Sequence, residues 1–413
     1  MRYGLLGEKL GHSFSGDIHN SLGEYSYDLI EVGRDKLEEF IKNKEFSGVN
    51  VTIPYKEDVI PYLDAVDERA TLIGAVNTIV NRDGRLCGYN TDFYGMEKLF
   101  AHAKIDPQGK TVAILGTGGT SKTAAAVMTY LGAEKVFRVS REKRDGTVID
   151  YDRLYQIADE VDIIINTTPV GMYPNTDGCP VDISRFGRLG GVIDAVYNPL
   201  RTKLIIEAEK RNIRAEGGLY MLVAQAIRAS ELFCGITWNE RIIDKTYKRL
   251  LREKENIVLI GMPASGKSTI GRILEKKLKK KAYDSDKIIE KNAKKSIPDI
   301  FREHGEDIFR DMETDTIRRI SDECGVIIST GGGSILREEN VDNLKKNGRL
   351  YFIDRPLTQL IPTKNRPLAS TVADIEKRYN ERYGLYSAAA DIRIDANTSA
   401  PMAADKIIKK LYS

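Results

Sequence analysis

The sequence predicts an α/β protein, because two separate segments each join a short apolar strand, a glycine-rich turn and a helix. The first segment begins with the strand Thr111–Leu115, after which strands, turns and helices alternate to about residue 220. That alternation is typical of a doubly wound parallel sheet. The second segment begins with a new apolar strand at Asn256–Ile260. A length of 413 residues allows two or three domains.

Domain limits follow from the places where this pattern changes. The first hundred residues contain short strands and helices, with a hairpin that turns at Asp83-Gly84. Residues 240–256 are helical in pattern and rich in charges of both signs. The predicted scheme is one domain over 1–105 (completed by helices in about 221–250), a parallel-sheet domain over 106–220, a linker at 251–255 and a further domain over 256–413.

The composition narrows the class of partner. Hydrophobic residues make up 41% and charged residues 30% of the chain, as in ordinary globular proteins. The 63 basic and 60 acidic side chains nearly balance, which argues against a nucleic-acid partner. No apolar run approaches the roughly 18 residues of a membrane span, and Glu8 and Lys9 lie where a signal peptide needs an apolar core. We expect a cytoplasmic protein with small-molecule substrates and no membrane partner; the sequence does not predict the oligomeric state.

A phosphate-binding loop is predicted directly after the strand Ile257–Ile260. The eight residues from Gly261 to Ser268 fit the pattern G-x-x-x-x-G-K-[ST]. In such loops the backbone amides surround phosphate oxygens, the lysine reaches the outer phosphates and the last hydroxyl binds Mg²⁺. An incidental glycine-rich turn is the alternative. The predicted nucleotide-binding residues are Gly261, Ala264, Ser265, Gly266, Lys267, Ser268 and Thr269.

Acidic and glycine-rich segments follow this loop. Asp284 and Asp286 come at the end of a short predicted strand, and two acids at i and i+2 on an extended segment point to the same side. One could face a metal and the other an acceptor hydroxyl, or both could be turn or N-cap residues. Arg310 and Glu313 are three positions apart on a helix. The run Gly331–Gly333 follows a strand, where a ligand could approach the backbone closely.

Together with Arg366-Pro367-Leu368, these motifs resemble those of shikimate kinases over residues 256–413. The resemblance implies a P-loop kinase domain, similar to nucleoside monophosphate kinases, that transfers the γ-phosphoryl group of ATP to the 3-hydroxyl of shikimate. It implies that Asp284 helps to hold Mg²⁺ and that Asp286 accepts or orients the hydroxyl proton. The remaining implied roles are shikimate binding by Arg310, Gly332 and Arg382, and closure of Arg366 over the phosphates from a mobile lid.

A dinucleotide site is predicted at Gly116-Thr117-Gly118-Gly119, between a strand and a helix. Such a turn is typical of a Rossmann-type domain, where Gly116, Gly118 and Gly119 would let the backbone approach the pyrophosphate. The next strand ends at Ser140-Arg141 without an acid that could bind the ribose of NAD. Arg141 and Arg144 therefore favour the 2′-phosphate of NADP. Glu142 stands between them and would repel a phosphate, so NAD stays the alternative.

Polar residues of the first hundred positions could form a substrate pocket. Ser13 and Ser15 flank one residue, and their two hydroxyls could bind one carboxylate, although Ser15 could equally cap a helix. Lys56 follows a strand and a proline. Asp92 stands near the start of a helix, where it could be only an N-cap.

These residues belong to motifs that resemble those of shikimate dehydrogenases over residues 1–250. The matching segments are Gly11–Ser15, Asn50–Lys56, Gly74–Thr78, Gly88–Asp92, Asn166–Met172, Asp194–Leu200 and Gly217–Gln225.

The resemblance implies hydride transfer from NADPH to the ketone of 3-dehydroshikimate, with Lys56 as the proton donor and Asp92 as its partner. It places Gly218 and Met221 along the nicotinamide. The substrate-binding residues that it implies are Ser13, Ser15, Thr52, Asn77, Asn90, Asp92, Tyr197 and Gln225.

The two resemblances together imply one chain that makes shikimate and then phosphorylates it, in independent domains without channelling. Two alternatives stay open. The first half could act on quinate instead of, or besides, shikimate. The chain could also be a non-catalytic sensor of these metabolites, although groups needed only for chemistry, such as Lys56, Asp92, Lys267, Asp284 and Asp286, are all present.

Overall fold

Two compact units, Met1–Leu250 and Leu251–Ser413, make up the computed structural model of the chain. The structure describes residues 2–11, 14–23, 25–142, 148–360 and 371–412.

The first unit begins with a mixed sheet of six strands in the order β2-β1-β3-β5-β6-β4. The predicted hairpin is its antiparallel pair β5 and β6, and β1 lies parallel to both of its neighbours. All five residues of β1 are buried. The elements are β1 (Tyr3–Gly7), α1 (Ser15–Ser21), β2 (Tyr27–Glu31), α2 (Leu37–Asn43), β3 (Gly48–Val51), β4 (Ala65–Val66), α3 (Glu68–Ile73), β5 (Thr78–Arg82), β6 (Arg85–Tyr89) and α4 (Thr91–Ala103).

A second sheet of the same unit is entirely parallel, with the strand order β12-β11-β10-β7-β8-β9. Read from the other edge, this is the 3-2-1-4-5-6 order of a doubly wound dinucleotide-binding fold. The predicted parallel sheet is confirmed. The elements are β7 (Thr111–Leu115), α5 (Gly119–Tyr130), β8 (Lys135–Ser140), β9 (Val148–Asp150), α6 (Tyr151–Gln156), β10 (Ile163–Asn166), β11 (Gly191–Asp194), α7 (Lys203–Lys210) and β12 (Arg214–Glu216).

Two further helices follow this sheet, α8 (Leu219–Cys234) and α9 (Arg241–Lys254). Helix α8 packs closely on α4: a Cβ added to Gly95 would lie 2.8 Å from the carbonyl oxygen of Met221. A helix late in the chain thus packs against a helix of the first hundred residues.

The second unit contains one parallel sheet in the order β14-β15-β13-β16-β17. Its central strand β13 is buried throughout, as expected for a parallel strand covered on both faces. The elements are β13 (Asn256–Ile260), α10 (Lys267–Leu278), β14 (Ala282–Asp284), α11 (Ser285–Ala293), α12 (Ile297–Ser321, with a kink at Gly305), β15 (Ile327–Ser329), α13 (Glu338–Asn347), β16 (Gly348–Asp354), α14 (Val372–Ala389), β17 (Ile392–Asp395) and α15 (Ala400–Tyr412).

The expected linker at 251–255 is mostly helical. Helix α9 continues through Lys254, and β13 starts at Asn256. Its carbonyl groups find partners: Lys280 Nζ donates to Arg252 O at 2.7 Å, and the amide of Gly325 donates to Lys254 O at 2.7 Å. These bonds supply donors to carbonyl groups at a helix end, where the backbone carbonyls have no donor within the helix.

Within the ranges that the structure describes, no helix is long and apolar enough to span a membrane.

Replacing Ile353 with alanine should destabilise the second unit. Ile353 is fully buried in β16, where it packs with Ile257 and Leu259. We expect Ile353→Ala to lower the free energy of unfolding by about 2–5 kcal/mol, because the lost burial leaves a cavity. Urea unfolding of the purified chain measures this, with Ile308→Ala, at a side chain that is 45% exposed, as the control. Equal midpoints for the two variants would contradict the assigned core.

Candidate functional sites

A buried ion pair lies at the centre of the first unit's polar residues. Lys56 Nζ donates to Asp92 Oδ2 at 2.6 Å, and the two side chains are only 15% and 9% exposed. Asp92 is not the N-cap of α4, since that position belongs to Asn90. The stem of Lys56 lies beside the glycine-rich turn: its Cδ is 3.5 Å from a Cβ added to Gly119. The ammonium is thus held between α4 and the start of α5.

A network of neutral polar groups lies beside this pair. The side chain of Asn77 donates to Thr91 Oγ1 at 3.0 Å and accepts from the Thr91 amide at 2.7 Å. Thr91 Oγ1 in turn donates to Gln225 Oε1 at 3.4 Å, which connects α4 with α8. All three side chains are buried. We call these residues, with Lys56 and Asp92, the first-unit cleft.

Other predicted substrate residues have local roles as well. Asn90 donates to Ala75 O at 2.8 Å and caps α4, so much of its hydrogen-bonding capacity is already used. Ser15 is buried and begins α1, but its hydroxyl does not cap that helix, whose N-cap is Phe14. The Phe14 ring lies 5.4 Å from that of Tyr197, which brings the serine loop and Tyr197 together. Thr52 follows β3, half-buried, four residues before Lys56.

The glycine-rich turn fits a dinucleotide. Gly116 has φ +109°, and a Cβ there would lie 2.8 Å from Thr167 Oγ1. Among the described residues, a Cβ on Gly118 would meet no protein atom within 4 Å, so the space beside its Cα is open. Helix α5 begins at the next residue and directs its N-terminal amides and dipole to that space. The turn lies where the strand order reverses, between β7 and β10.

The remaining predicted cofactor residues lie around the same sheet edge. Ser140 ends β8, and Arg141 follows it with an exposed side chain. Gly218 precedes α8, and a Cβ there would lie 2.2 Å from Ala195 O, so only glycine fits. Met221 is buried in the first turn of α8.

The phosphate-binding loop of the second unit has the predicted form. Gly261 has φ +147°, and a Cβ on it would lie 2.8 Å from Ile353 O. Lys267 Nζ donates to the carbonyls of Gly261 and Met262 at 2.7 and 2.9 Å. Ala264, with φ +66°, is a non-glycine residue in the left-handed region, where side chains are rarely tolerated. Helix α10 begins at Lys267, inside the motif.

Ser268 and Asp284 line one cavity of about 320 Å³. The expected placement of Asp284 and Asp286 on one extended segment is wrong. Asp284 is the N-cap of α11, accepting from the amide of Lys287, and Asp286 already lies in the first helical turn. The chain turns into a helix at this point because an aspartate cap is available there.

Asp286 instead faces the glycine run. A Cβ on Gly331 would lie 2.6 Å from Asp286 Oδ1 and 2.7 Å from Glu313 Oε1. Burial raises the pKa of Glu313; the Arg310 guanidinium opposes that rise, and the Asp286 carboxylate adds to it. Arg310 pairs with Glu313 at 2.6 Å and with Glu306 at 2.8 Å.

Arg382 lies at the same place, on α14. It is 5% exposed, and its Nη1 donates to Gly332 O at 2.9 Å. Tyr386, one helical turn later, donates to the same oxygen. Burial lowers the pKa of Arg382, and the positive charges of Arg378 and Arg310 contribute to the lowering. Its Nε is buried without a protein partner among the described residues. We call Asp286, Arg310, Gly331–Gly333 and Arg382 the acceptor pocket.

Three predicted residues, Ser13, Arg144 and Arg366, lie outside the described residues. Two others, Thr91 and Tyr386, were missed and lie within the sites. Thr91 connects Asn77 with Gln225, and Tyr386 shares the Gly332 carbonyl with Arg382. Arg310 and Glu313, which the sequence places three positions apart on a helix, form an ion pair. The i, i+4 spacing of Arg382 and Tyr386 on a helix was a signal that could have identified the tyrosine.

The chain is similar to known proteins in both halves. The model of the shikimate dehydrogenase substrate binding domain matches residues 5–79, and the shikimate kinase model matches residues 263–412. A shikimate dehydrogenase (NADP(+)) of Clostridium beijerinckii is 42% identical over 259 residues, 59% of this chain and 93% of that protein.

Solved structures agree with this similarity. Shikimate dehydrogenase 1 from Peptoclostridium difficile is 41% identical and has a TM-score of 0.57, with 60% of this chain and 98% of that chain covered. A shikimate 5-dehydrogenase from Thermus thermophilus, solved in complex with NADP(H) and shikimate, is 29% identical with a TM-score of 0.54, over 60% of this chain and 99% of that chain.

The predicted family resemblances are thereby confirmed for both halves. The chain belongs to the shikimate dehydrogenase family and has a shikimate kinase domain on the same polypeptide, which makes it a bifunctional enzyme of the shikimate pathway.

Proposed function

We propose that the first unit reduces 3-dehydroshikimate to shikimate with NADPH and that the second phosphorylates the 3-hydroxyl of shikimate with ATP and Mg²⁺. The Lys56–Asp92 ion pair beside the glycine-rich turn supports the first step most directly. The acceptor pocket beside the phosphate-binding loop supports the second. The domain limits 1–105, 106–220 and 256–413, a cytoplasmic location and small molecules as the partners are parts of this proposal.

Lys56 is the acid of the reduction in this scheme. When bound, NADPH supplies the hydride, and reduction of a ketone leaves an alkoxide oxygen that needs a proton. The Lys56 ammonium has three N–H donors, of which the bond to Asp92 uses one. The others are available to the substrate oxygen. Asp92 holds the ammonium in place, and Asn77 and Gln225 would bind the ring hydroxyls.

The acceptor pocket fits a hydroxylated carboxylate. Arg382 is a buried cation with an unpartnered Nε, and Arg310 is buried beside it. An anionic group on the substrate would offset this positive charge. Asp286 would orient the reacting hydroxyl or accept its proton. When bound, ATP supplies the phosphoryl group, whose spread of negative charge Lys267 would stabilise.

A magnesium ion fits the oxygen donors that are present. Ser268 and Asp284 line the same cavity, and Mg²⁺ typically uses one or two protein oxygens together with phosphate oxygens and water. The described residues contain no cluster of three or more histidine, cysteine, aspartate or glutamate side chains that could hold a metal alone. This donor set therefore suits a metal that arrives with the nucleotide.

A coupled assay tests both halves at once. We expect purified protein with 3-dehydroshikimate, NADPH and Mg-ATP to oxidise NADPH and to release shikimate 3-phosphate, identified by mass. Lys56→Met should lower the rate of the reduction about 10²- to 10⁴-fold without affecting phosphorylation of added shikimate. Lys267→Met should stop the product at shikimate.

Lys122→Met is the matched control, since Lys122 lies on α5 and pairs with Glu57 instead of Asp92. Equal losses in Lys56→Met and Lys122→Met would disprove the assigned acid. Tight shikimate binding by a chain that oxidises no NADPH would favour the metabolite sensor.

Cofactor choice depends on Arg141 in this proposal. Arg141 directly follows β8, where the 2′-phosphate of NADP would lie. Arg141→Ala should raise the KM for NADPH about 10-fold, the usual order for a lost charge-assisted hydrogen bond, and leave the KM for NADH within twofold. Steady-state kinetics with both cofactors measures this. Similar rises of the KM for NADPH and the KM for NADH would show that Arg141 does not bind the 2′-phosphate.

The acceptor pocket should not tolerate a side chain at Gly331. Gly331→Ala would push a methyl group against Asp286 and Glu313, and we expect kcat/KM for shikimate to fall about 10- to 100-fold. The reduction by the first unit serves as the internal reference. Gly384→Ala is the control, because a Cβ there would meet no atom of the described residues within 4 Å and alanine suits a helix better than glycine. An unchanged kcat/KM for shikimate in Gly331→Ala would contradict the assigned acceptor pocket.

A further inference from the structure

Asp194 is a buried carboxylate to which neither proposed reaction gives a role. It is the last residue of β11 and is fully buried. It lies at the carboxyl edge of the parallel sheet, next to Asn166 at the end of β10. Burial raises its pKa to about 7, although hydrogen bonds from Thr202, Val196 and Asn166 each lower it.

Three groups donate to this carboxylate, one from the end of β10 and two from the loop between β11 and α7. Asn166 Nδ2 and the amide of Val196 donate to Oδ1, both at 3.0 Å. The hydroxyl of Thr202 donates to Oδ2 at 2.6 Å and also caps α7. Because the carboxylate only accepts hydrogen bonds, one side chain satisfies all three donors simultaneously.

Each segment leads to the proposed dehydrogenase site. Asn166 Oδ1 accepts from the amide and hydroxyl of Thr168, which fixes the loop whose Thr167 lies against Gly116.

The chain from Val196 to Thr202 includes Tyr197. Val196 O accepts from the amide of Gly218 at 2.9 Å, just before the helix that contains Met221 and Gln225. One carboxylate therefore ties together the pyrophosphate loop, the Tyr197 segment and the start of α8.

We propose that Asp194 is a positioning residue of the dehydrogenase, holding these three segments at the separation that binds dinucleotide and substrate. The inference rests on the proposed reduction. Burying a carboxylate is costly, whereas an apolar residue at this position would leave three buried donors unsatisfied. A carboxylate suits this position because its two oxygens can accept from all three converging donors.

Two substitutions separate geometry from charge. Asn can accept from Asn166 and Val196 with its oxygen and donate to Thr202 with its nitrogen, so Asp194→Asn should keep all kinetic constants within about threefold. Asp194→Ala loses all three bonds. We expect it to raise the Kd for NADPH and the KM for 3-dehydroshikimate about 10- to 100-fold, with the shikimate kinase rate unchanged.

The Kd is measured by NADPH fluorescence on the full chain, with kinase activity as the concentration standard. Asp182→Asn is the control, since Asp182 likewise accepts hydrogen bonds from a turn, but is exposed and caps residues Ile183–Arg185. If Asp194→Ala does not fold, Thr202→Val, which removes the Oδ2 bond together with the hydroxyl cap of α7 but keeps the other two bonds, should raise the same constants about 3- to 10-fold.

If Asp194→Ala has a Kd for NADPH and a KM for 3-dehydroshikimate within twofold of the parent, and only its active fraction is reduced, the proposal is overturned. Damage by Asp194→Asn equal to that of Asp194→Ala would also overturn it, because charge and not geometry would then matter. If the parent binds NADPH but does not reduce 3-dehydroshikimate, the proposed reaction fails, and the Kd series alone still decides the role of Asp194.

Discussion

Parallel strand pairing is the constraint on which both sites depend. Strand β7 lies parallel to β8 and β10, and β13 lies parallel to β15 and β16. Because parallel strands run in one direction, their carboxyl ends meet at one edge, where the chain leaves the sheet in loops. Gly116, Asp194, Gly261 and Gly331 all lie at such ends or just beyond them. Groups far apart in sequence thus become neighbours in space.

The two sites use buried polarity differently. The first-unit cleft surrounds one ion pair with neutral amides and hydroxyls that satisfy each other, as the chain from Asn77 through Thr91 to Gln225 shows. The acceptor pocket instead buries two guanidinium groups. Within the described part of the chain, Arg382 Nε and Glu313 Oε1 have no protein partner. An unsatisfied buried group is costly, so a ligand that pairs with these atoms gains more from binding.

Much of the fold and many site residues could be predicted from the sequence. Gly116 and Lys267 stand in motifs where the chemistry requires that residue type at that spacing, whereas the role of Lys56 was implied by the family resemblance. The turn glycines Gly116 and Gly261 have the positive φ angles that the motifs imply. The predicted α/β fold class is also confirmed, because apolar strands alternate with helices along both units.

The remaining features depend on contacts that spacing does not encode. The predicted placement of Asp284 and Asp286 on one extended segment was wrong because Asp284 caps a helix that begins at the next residue. Two acids at i and i+2 are compatible with a strand and with a helix start, so the spacing alone does not distinguish them. Thr91 was missed because its partner Gln225 is 134 positions away. The sequence placed Asp194 in a matching segment without a role of its own, because its three donors, from one loop and a neighbouring strand, become visible only in the fold.

The contacts at the end of α9 determine where the chain can be divided for separate expression of the two enzymes. Lys280 Nζ donates to the carbonyls of Arg252, Glu253 and Glu255, and burial lowers the pKa of this lysine. A kinase expressed from Asn256 onward would lose all three acceptors and leave a half-buried ammonium without them. The natural cut for separate expression therefore falls before Leu251, inside a helix, and each enzyme would then keep part of one shared element.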